Sequence, residues 1–160
     1  LPELVSSLRQ AQIQAEAGRQ DLVITRMFDL PVELVYIAYT EPEYLEQWMG
    51  TRVVRLDNIP HGSYRFVTTD PRGNVHGFNG VIHEVIANER ITRTFEMENT
   101  PFPVQLEFLT FTPLTADTSR LQIHIIFKSV GDRDRLLQMP FAAGINMAHQ
   151  RLEQIFHTTK

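Results

Sequence analysis

Period-two alternation of apolar and polar residues fills the middle of the chain, and helical spacing marks its two ends. From Leu1 to Gly18, the residues Leu4, Val5, Leu8, Ala11 and Ala15 recur close to a helical period, and Gly18 supplies a stop. This predicts a short amphipathic helix, an extension over residues 1–20 ahead of a domain spanning 21–160. Asp21 to Asp29 reads as a strand carrying Val23, Ile24 and Phe28. Pro31 then opens a helix with the stripe Leu34, Val35, Ala38 and Tyr39, because a proline in the first turn removes no needed N–H. Pro42 opens a second short helix with Tyr44, Leu45 and Trp48, closed by Gly50.

Strands follow at Val53 to Leu56, Gly62 to Asp70, Val75 to Ala87, Ile91 to Glu98, Val104 to Thr112 and Ser119 to Ser129. Asp70-Pro71-Arg72-Gly73-Asn74 is a turn in which Pro fixes an early φ and Gly supplies a late positive one. Val81 and Val85 disturb the alternation of their strand, which predicts a bulge there. A final helix of about 25 residues starts at Asp132, with Leu136, Leu137, Met139, Ala143, Met147, Ala148, Leu152, Ile155 and Phe156 as its apolar face. Pro140 predicts a kink or break within it. The element order predicts an α+β helix-grip fold. A bent antiparallel sheet of six to seven strands surrounds a long C-terminal helix, with two short helices after the first strand.

Composition narrows the function classes. A chain of 160 residues, 42% hydrophobic and 21% charged, suits one globular domain that needs no covalent staple. The absence of cysteine excludes disulfides, thiolate metal sites and thiol nucleophiles, and fits a cytoplasmic location. The formal charge of −4, with no basic run, argues against a nucleic-acid partner. No apolar run reaches the length of a membrane span, and Leu1 to Gly18 lacks the apolar stretch of a signal peptide. Dinucleotide, P-loop, serine-hydrolase and zinc-protease motifs are missing, so no cofactor is expected. The histidines His61, His76, His83, His124, His149 and His157 form no metal-ligating spacing and read as surface or rim residues.

Several blocks resemble a known family. Arg26, Phe28, Pro31, Val35, Ala38, Thr40, Pro42, Leu45 and Trp48 are similar to the opening signature of the family named for the activator of the 90-kDa heat-shock protein ATPase. That family lies within the START-like (SRPBCC, birch-pollen-allergen-like) superfamily. Gly62-Ser63-Tyr64-Arg65-Phe66, then Asp70-Pro71-Arg72-Gly73, resemble its next blocks. Phe78, Gly80 and Glu84, then Glu89-Arg90-Ile91, resemble its following strands, and Gly144, Asn146, Arg151 and Leu152 its closing helix. The resemblance covers residues 21 to 158. It implies the helix-grip fold with a cavity between sheet and final helix. The superfamily includes lipid carriers, hormone receptors, polyketide cyclases and chaperone partners, so it does not settle the chemistry. The activator proper has a further N-terminal domain for which this chain has no room, so chaperone-ATPase activation does not follow from the resemblance.

Strand parity selects the candidate site. In Ile91 to Glu98, Thr92, Thr94, Glu96 and Glu98 share the solvent face, which turns Arg93 inward beside Ile91, Phe95 and Met97. A buried guanidinium needs a partner, and Glu84, on the face of Phe78, Ile82 and Ile86, is a candidate; the alternative is that Arg93 reaches out to the cavity mouth. The expected lining is Trp48, Tyr64, Phe66, Phe78, Ile82, Glu84, Arg93, Phe95, Phe108, Ile123, Met139 and Met147, with no catalytic residue and no metal ligand assigned. The leading expectation is non-catalytic binding of an apolar or amphipathic small molecule. The first alternative is a co-chaperone or stress-related protein-interaction module. The second is a polyketide-cyclase-like enzyme, for which Arg93, Glu84 and Tyr64 would be the working group. A homodimer is open, and the sequence carries no signature for it.

Overall fold

Buried and half-buried residues alternate without a break along Asp21–Phe28, and this strand carries the seam of the molecule. The computed structural model describes residues 10–158. Eight strands form one antiparallel sheet: β1 (Gln12–Gln14), β2 (Asp21–Phe28), β3 (Arg52–Leu56), β4 (Ser63–Thr69), β5 (Val75–Ile86), β6 (Arg90–Met97), β7 (Gln105–Pro113) and β8 (Ser119–Ile126). Their spatial order is β1-β2-β8-β7-β6-β5-β4-β3. The first and last long strands therefore lie side by side. Helices α1 (Val32–Thr40) and α2 (Pro42–Met49) link β2 to β3, and α3 (Val130–Leu137) and α4 (Phe141–Thr158) close the chain. This is the α+β, bent-sheet architecture expected from the element order. No described helix is long and apolar enough to cross a membrane.

The main core fills the space between the sheet, α1, α2 and the C-terminal part of α4. It joins Phe28, Val35, Tyr39, Leu45, Trp48, Tyr64, Phe66, Ile82, Leu109, Leu121, Leu152 and Phe156. A second cluster, Leu22, Ile24, Ile125 and Phe127, packs with Ile13, Leu136, Phe141 and Ile145 where α3 meets α4. Pro42 occupies the first turn of α2, and Gly50 ends that helix with φ 63°, a left-handed conformation that costs glycine little. Gly80 faces Tyr64 across the β4–β5 ladder. A Cβ there would overlap the Tyr64 ring and the Thr94 carbonyl, so the aromatic ring covers bare backbone.

Three local expectations change. The helical spacing over Leu1–Gly18 is not followed at Gln12–Gln14, which pairs antiparallel with Val23–Thr25 as an edge strand; residues 1–9 lie outside the described part. The free edge of β2 offers this segment backbone partners. Arg133 then ties the segment down, donating from Nη1 to the Glu16 carbonyl at 2.6 Å and the Asp21 carbonyl at 3.0 Å. The single long helix is two, because Pro140 has no N–H to continue the ladder. The first of them begins at Val130, ahead of Asp132, because Ser129 caps it: its Oγ accepts from the Asp132 N–H at 3.1 Å. Ser129→Ala is expected to lower stability by about 1 kcal/mol in a urea titration. The expected bulge in β5 is present as a register shift between Ile82 and Glu84.

Candidate functional site

A cavity of about 540 Å³ opens between the sheet and α4. Its walls are largely apolar. Leu45, Trp48 and Met49 come from α2, Phe66 from β4, Phe78 from β5, and Phe95 and Met97 from β6. Ile24, Ile123 and Ile125 close the opposite side, and Leu136, Phe141, Gly144 and Ile145 form the part nearest the α3–α4 break. Trp48 is fixed by its indole N–H, which donates to the Ala38 carbonyl at 2.7 Å. The Phe78 and Phe95 rings stack with centroids 5.7 Å apart.

Two buried polar groups interrupt the apolar lining, and Arg151 stands at its exposed edge. The first is an ion pair: Arg93 Nε donates to Glu107 Oε1 at 3.0 Å. The Glu107 side chain is 8% exposed and that of Arg93 15%. The Gln105 amide donates to the other Glu107 oxygen at 2.9 Å. The Arg93 guanidinium lies over the Tyr64 ring at 5.1 Å, and Tyr64 in turn donates its hydroxyl to the Thr94 carbonyl at 2.5 Å. Burial opposes the Arg93 charge, but Tyr64, Glu107 and Tyr39 outweigh it, raise the pKa and keep the group protonated.

The second polar group is the pair Tyr39–His149, with Tyr39 Oη and His149 Nε2 2.8 Å apart. Both are buried. His149 sits within a ring cage of Phe28, Tyr39 and Trp48. Its Nδ1 is buried with no hydrogen-bond partner among the described residues. Burial, reinforced by the Arg26 charge, pushes its pKa from 6.5 to about 3, so the imidazole is neutral at physiological pH. Burial likewise raises the Tyr39 hydroxyl above its usual range. A further buried cation, Arg26, fastens α4 to β2 through Glu153 at 3.1 Å.

Of the residues expected to line the cavity, Trp48, Phe66, Phe78, Arg93, Phe95 and Ile123 do so. Tyr64 and Ile82 are buried in the adjoining core rather than in the wall. Four others lie elsewhere. Glu84 follows the bulge, which turns Val85 toward the core and leaves Glu84 outside, paired with Arg90 at 2.8 Å. Phe108 alternates with the buried Glu107 and Leu109, so it faces outward against His124. Met139 is 46% exposed in the break before Pro140, and Met147 is 60% exposed on the outer side of α4. The partner of Arg93 is therefore Glu107, not Glu84.

Glu107, Gln105, Tyr39 and His149 were not singled out from the sequence, and His149 is not the rim residue its type suggested. Signals for two of them were present. Glu107 shares strand parity with Leu109 and Phe111, and His149 stands at helical spacing from Ile145, Leu152 and Phe156.

The whole-chain comparisons agree on the architecture. A protein from Mycobacterium smegmatis, Ms6760, superposes with a TM-score of 0.80 at 22% identity, over 90% of this chain and 94% of that one. A Rhodobacter sphaeroides protein gives 0.80 at 20% identity, over 93% and 100% of the two chains. NE0264 from Nitrosomonas europaea gives 0.76 at 25% identity, over 91% and 98%. Comparison with curated proteins gives no match. The family model described as Activator of Hsp90 ATPase homolog 1-like protein matches residues 29–157, from the end of β2 through α4. The strands, helices and cavity described above fall almost entirely within that span, and the chain belongs to this family, on the START-like fold.

Proposed function

We propose that this protein binds an apolar or amphipathic small molecule in the cavity between its sheet and α4. The observation that carries the reading is the cavity itself: about 540 Å³ with mostly apolar walls and a few convergent polar groups, within the size range of small-molecule sites. Binding without turnover suits the polar groups. Both Glu107 oxygens already accept hydrogen bonds, and burial holds the His149 pKa near 3, which makes its imidazole too weak a base to take up a proton at neutral pH.

Gly144 provides the test. It lines the cavity from an exposed position, and a Cβ there would meet nothing within 4 Å, so a large side chain has room at the cavity mouth. Gly144→Phe is expected to weaken the binding of anilinonaphthalene sulfonate, followed by fluorescence, by at least about tenfold, since it occupies the apolar volume the probe needs. The same change raises helix propensity, so stability is expected to hold or rise by roughly 0.5 kcal/mol. Unchanged affinity in a folded Gly144→Phe protein would place the probe elsewhere and count against the cavity.

The family description supplies a second reading, contact with the chaperone Hsp90. It predicts co-sedimentation with that chaperone whether or not the cavity is occupied by a small molecule.

A further inference from the structure

The polar end of the cavity has an imbalance of donors and acceptors. A guanidinium carries five N–H donors. On Arg93, only Nε finds an acceptor among the described residues, Glu107 Oε1. Each Glu107 oxygen is already engaged, the second one by the Gln105 amide. The two terminal nitrogens of Arg93 have no acceptor among the described residues, and Arg93 stands in the cavity wall beside Phe66, Phe78 and Phe95, with one face of the group held over Tyr64.

Charge points the same way. The ionisable groups lining the cavity are Arg93, Glu107, Arg151, Tyr39 and His149. Arg93 and Glu107 cancel. His149 and Tyr39 are neutral at physiological pH. Arg151 adds a positive charge, its Nε anchored on the Trp48 carbonyl at 3.1 Å. Glu107 is the single carboxylate among the lining residues, and it is already spent on Arg93 and Gln105. A ligand amine would meet surplus positive charge and surplus donors. A ligand carboxylate would meet a planar fork of N–H groups that matches its two oxygens.

Building on the cavity-binding reading, we propose that the ligand is an apolar monocarboxylate. Its carboxylate sits on the terminal nitrogens of Arg93, and its hydrocarbon body lies among Trp48, Phe66, Phe78, Phe95 and Ile123. The aromatic walls accept either a chain or a flat ring system, so the head group carries the specificity and the body carries the burial.

Calorimetric titration at neutral pH with decanoate and decanol, and with naphthoate and naphthylmethanol as flat counterparts, tests this. The wild-type protein is expected to bind the carboxylate of at least one pair ten or more times tighter than the matching alcohol, as a bidentate charge-assisted contact provides. Arg93→Met alone strands the buried Glu107 charge and is a poor reporter. The double variant Arg93→Met with Glu107→Leu removes both charges together, and it is expected to bind acid and alcohol within about threefold of each other while retaining the alcohol affinity. Glu107→Gln, which frees Arg93 from its counter-ion, is expected to increase the preference for the acid. Equal affinity for acid and alcohol in the wild type, or a preference that survives in the double variant, would overturn the assignment of the head group while leaving the cavity reading intact. Failure of all four compounds to bind would overturn both.

Discussion

Arg93→Met is expected to destabilise the fold by about 3–5 kcal/mol, because it leaves the buried Glu107 carboxylate without its cation. The side chain of Glu107 is 8% exposed, and only the Gln105 amide would remain to satisfy it. Replacing both charges, Arg93→Met with Glu107→Leu, is expected to recover most of that loss and to equal or exceed the wild type. A buried ion pair repays little more than its own desolvation, so well-packed apolar groups can match it. Urea denaturation of the wild type, the single variant and the double variant measures both steps. A single variant as stable as the wild type would mean that Glu107 reaches water or another cation. A double variant no better than the single one would mean that the pair is held by more than its mutual charge. If the pair is dispensable for stability, its position at the cavity wall needs another reason, and recognition of a ligand head group supplies one.

The second large effect is a dependence of stability on pH set by His149. Its folded pKa is lowered to about 3 from 6.5, first by burial and then by the Arg26 charge. The unfolded chain therefore takes up the proton at higher pH than the folded one. Stability from this residue is full above pH 6.5 and is lost as pH falls from 6.5 toward 3. The slope in that window is about 1.4 kcal/mol per pH unit, giving a loss of about 2 kcal/mol by pH 5. Carboxylates held low by hydrogen bonds, such as Glu98 and Asp70 at about 2, act with the same sign but only below their ordinary values of 4.5 and 3.8. The interval from pH 6.5 to 5 lies above these carboxylate values, and comparison with a His149 variant separates this residue from the five other histidines, His76 and His124 beside Asp70 and Asp21 among them. His149→Gln retains a polar partner for the Tyr39 hydroxyl and cannot titrate. Its stability is expected to be flatter than that of the wild type across the interval, by roughly the slope given above. Parallel curves for the two proteins would show that His149 is accessible to a proton in the folded state.

Much of the fold was legible in the sequence because its signals are local. Proline at positions 31 and 42, Gly50 after Trp48, and the period-two runs each specify an element through backbone geometry alone. The inward direction of Arg93 followed from parity for the same reason. The failures have physical causes that cross the chain. Ala11 and Ala15 carry helical spacing, yet the open edge of β2 captures the segment between them as a strand. Glu84 matches the inward parity of Ile82 only until the bulge between them reverses it. A helix drawn through Pro140 puts Met139 on the apolar face, but the break leaves it between the two helices, while Met147 shares the exposed side of α4 with Ala143, away from the buried His149, Leu152 and Phe156. His149 and Tyr39 pair across 110 residues of sequence, a contact that forms only once α2, with Trp48 beside both rings, packs on α4 and brings α1 within reach.

Native mass spectrometry of the full chain purified from cells under non-denaturing conditions tests the central claim most directly, with Gly144→Phe purified in parallel. A small-molecule adduct on the wild type, released on denaturation and missing from Gly144→Phe, is the expected result. An adduct of equal occupancy on both proteins, or a bare mass for the wild type, would contradict a ligand-binding role for the cavity.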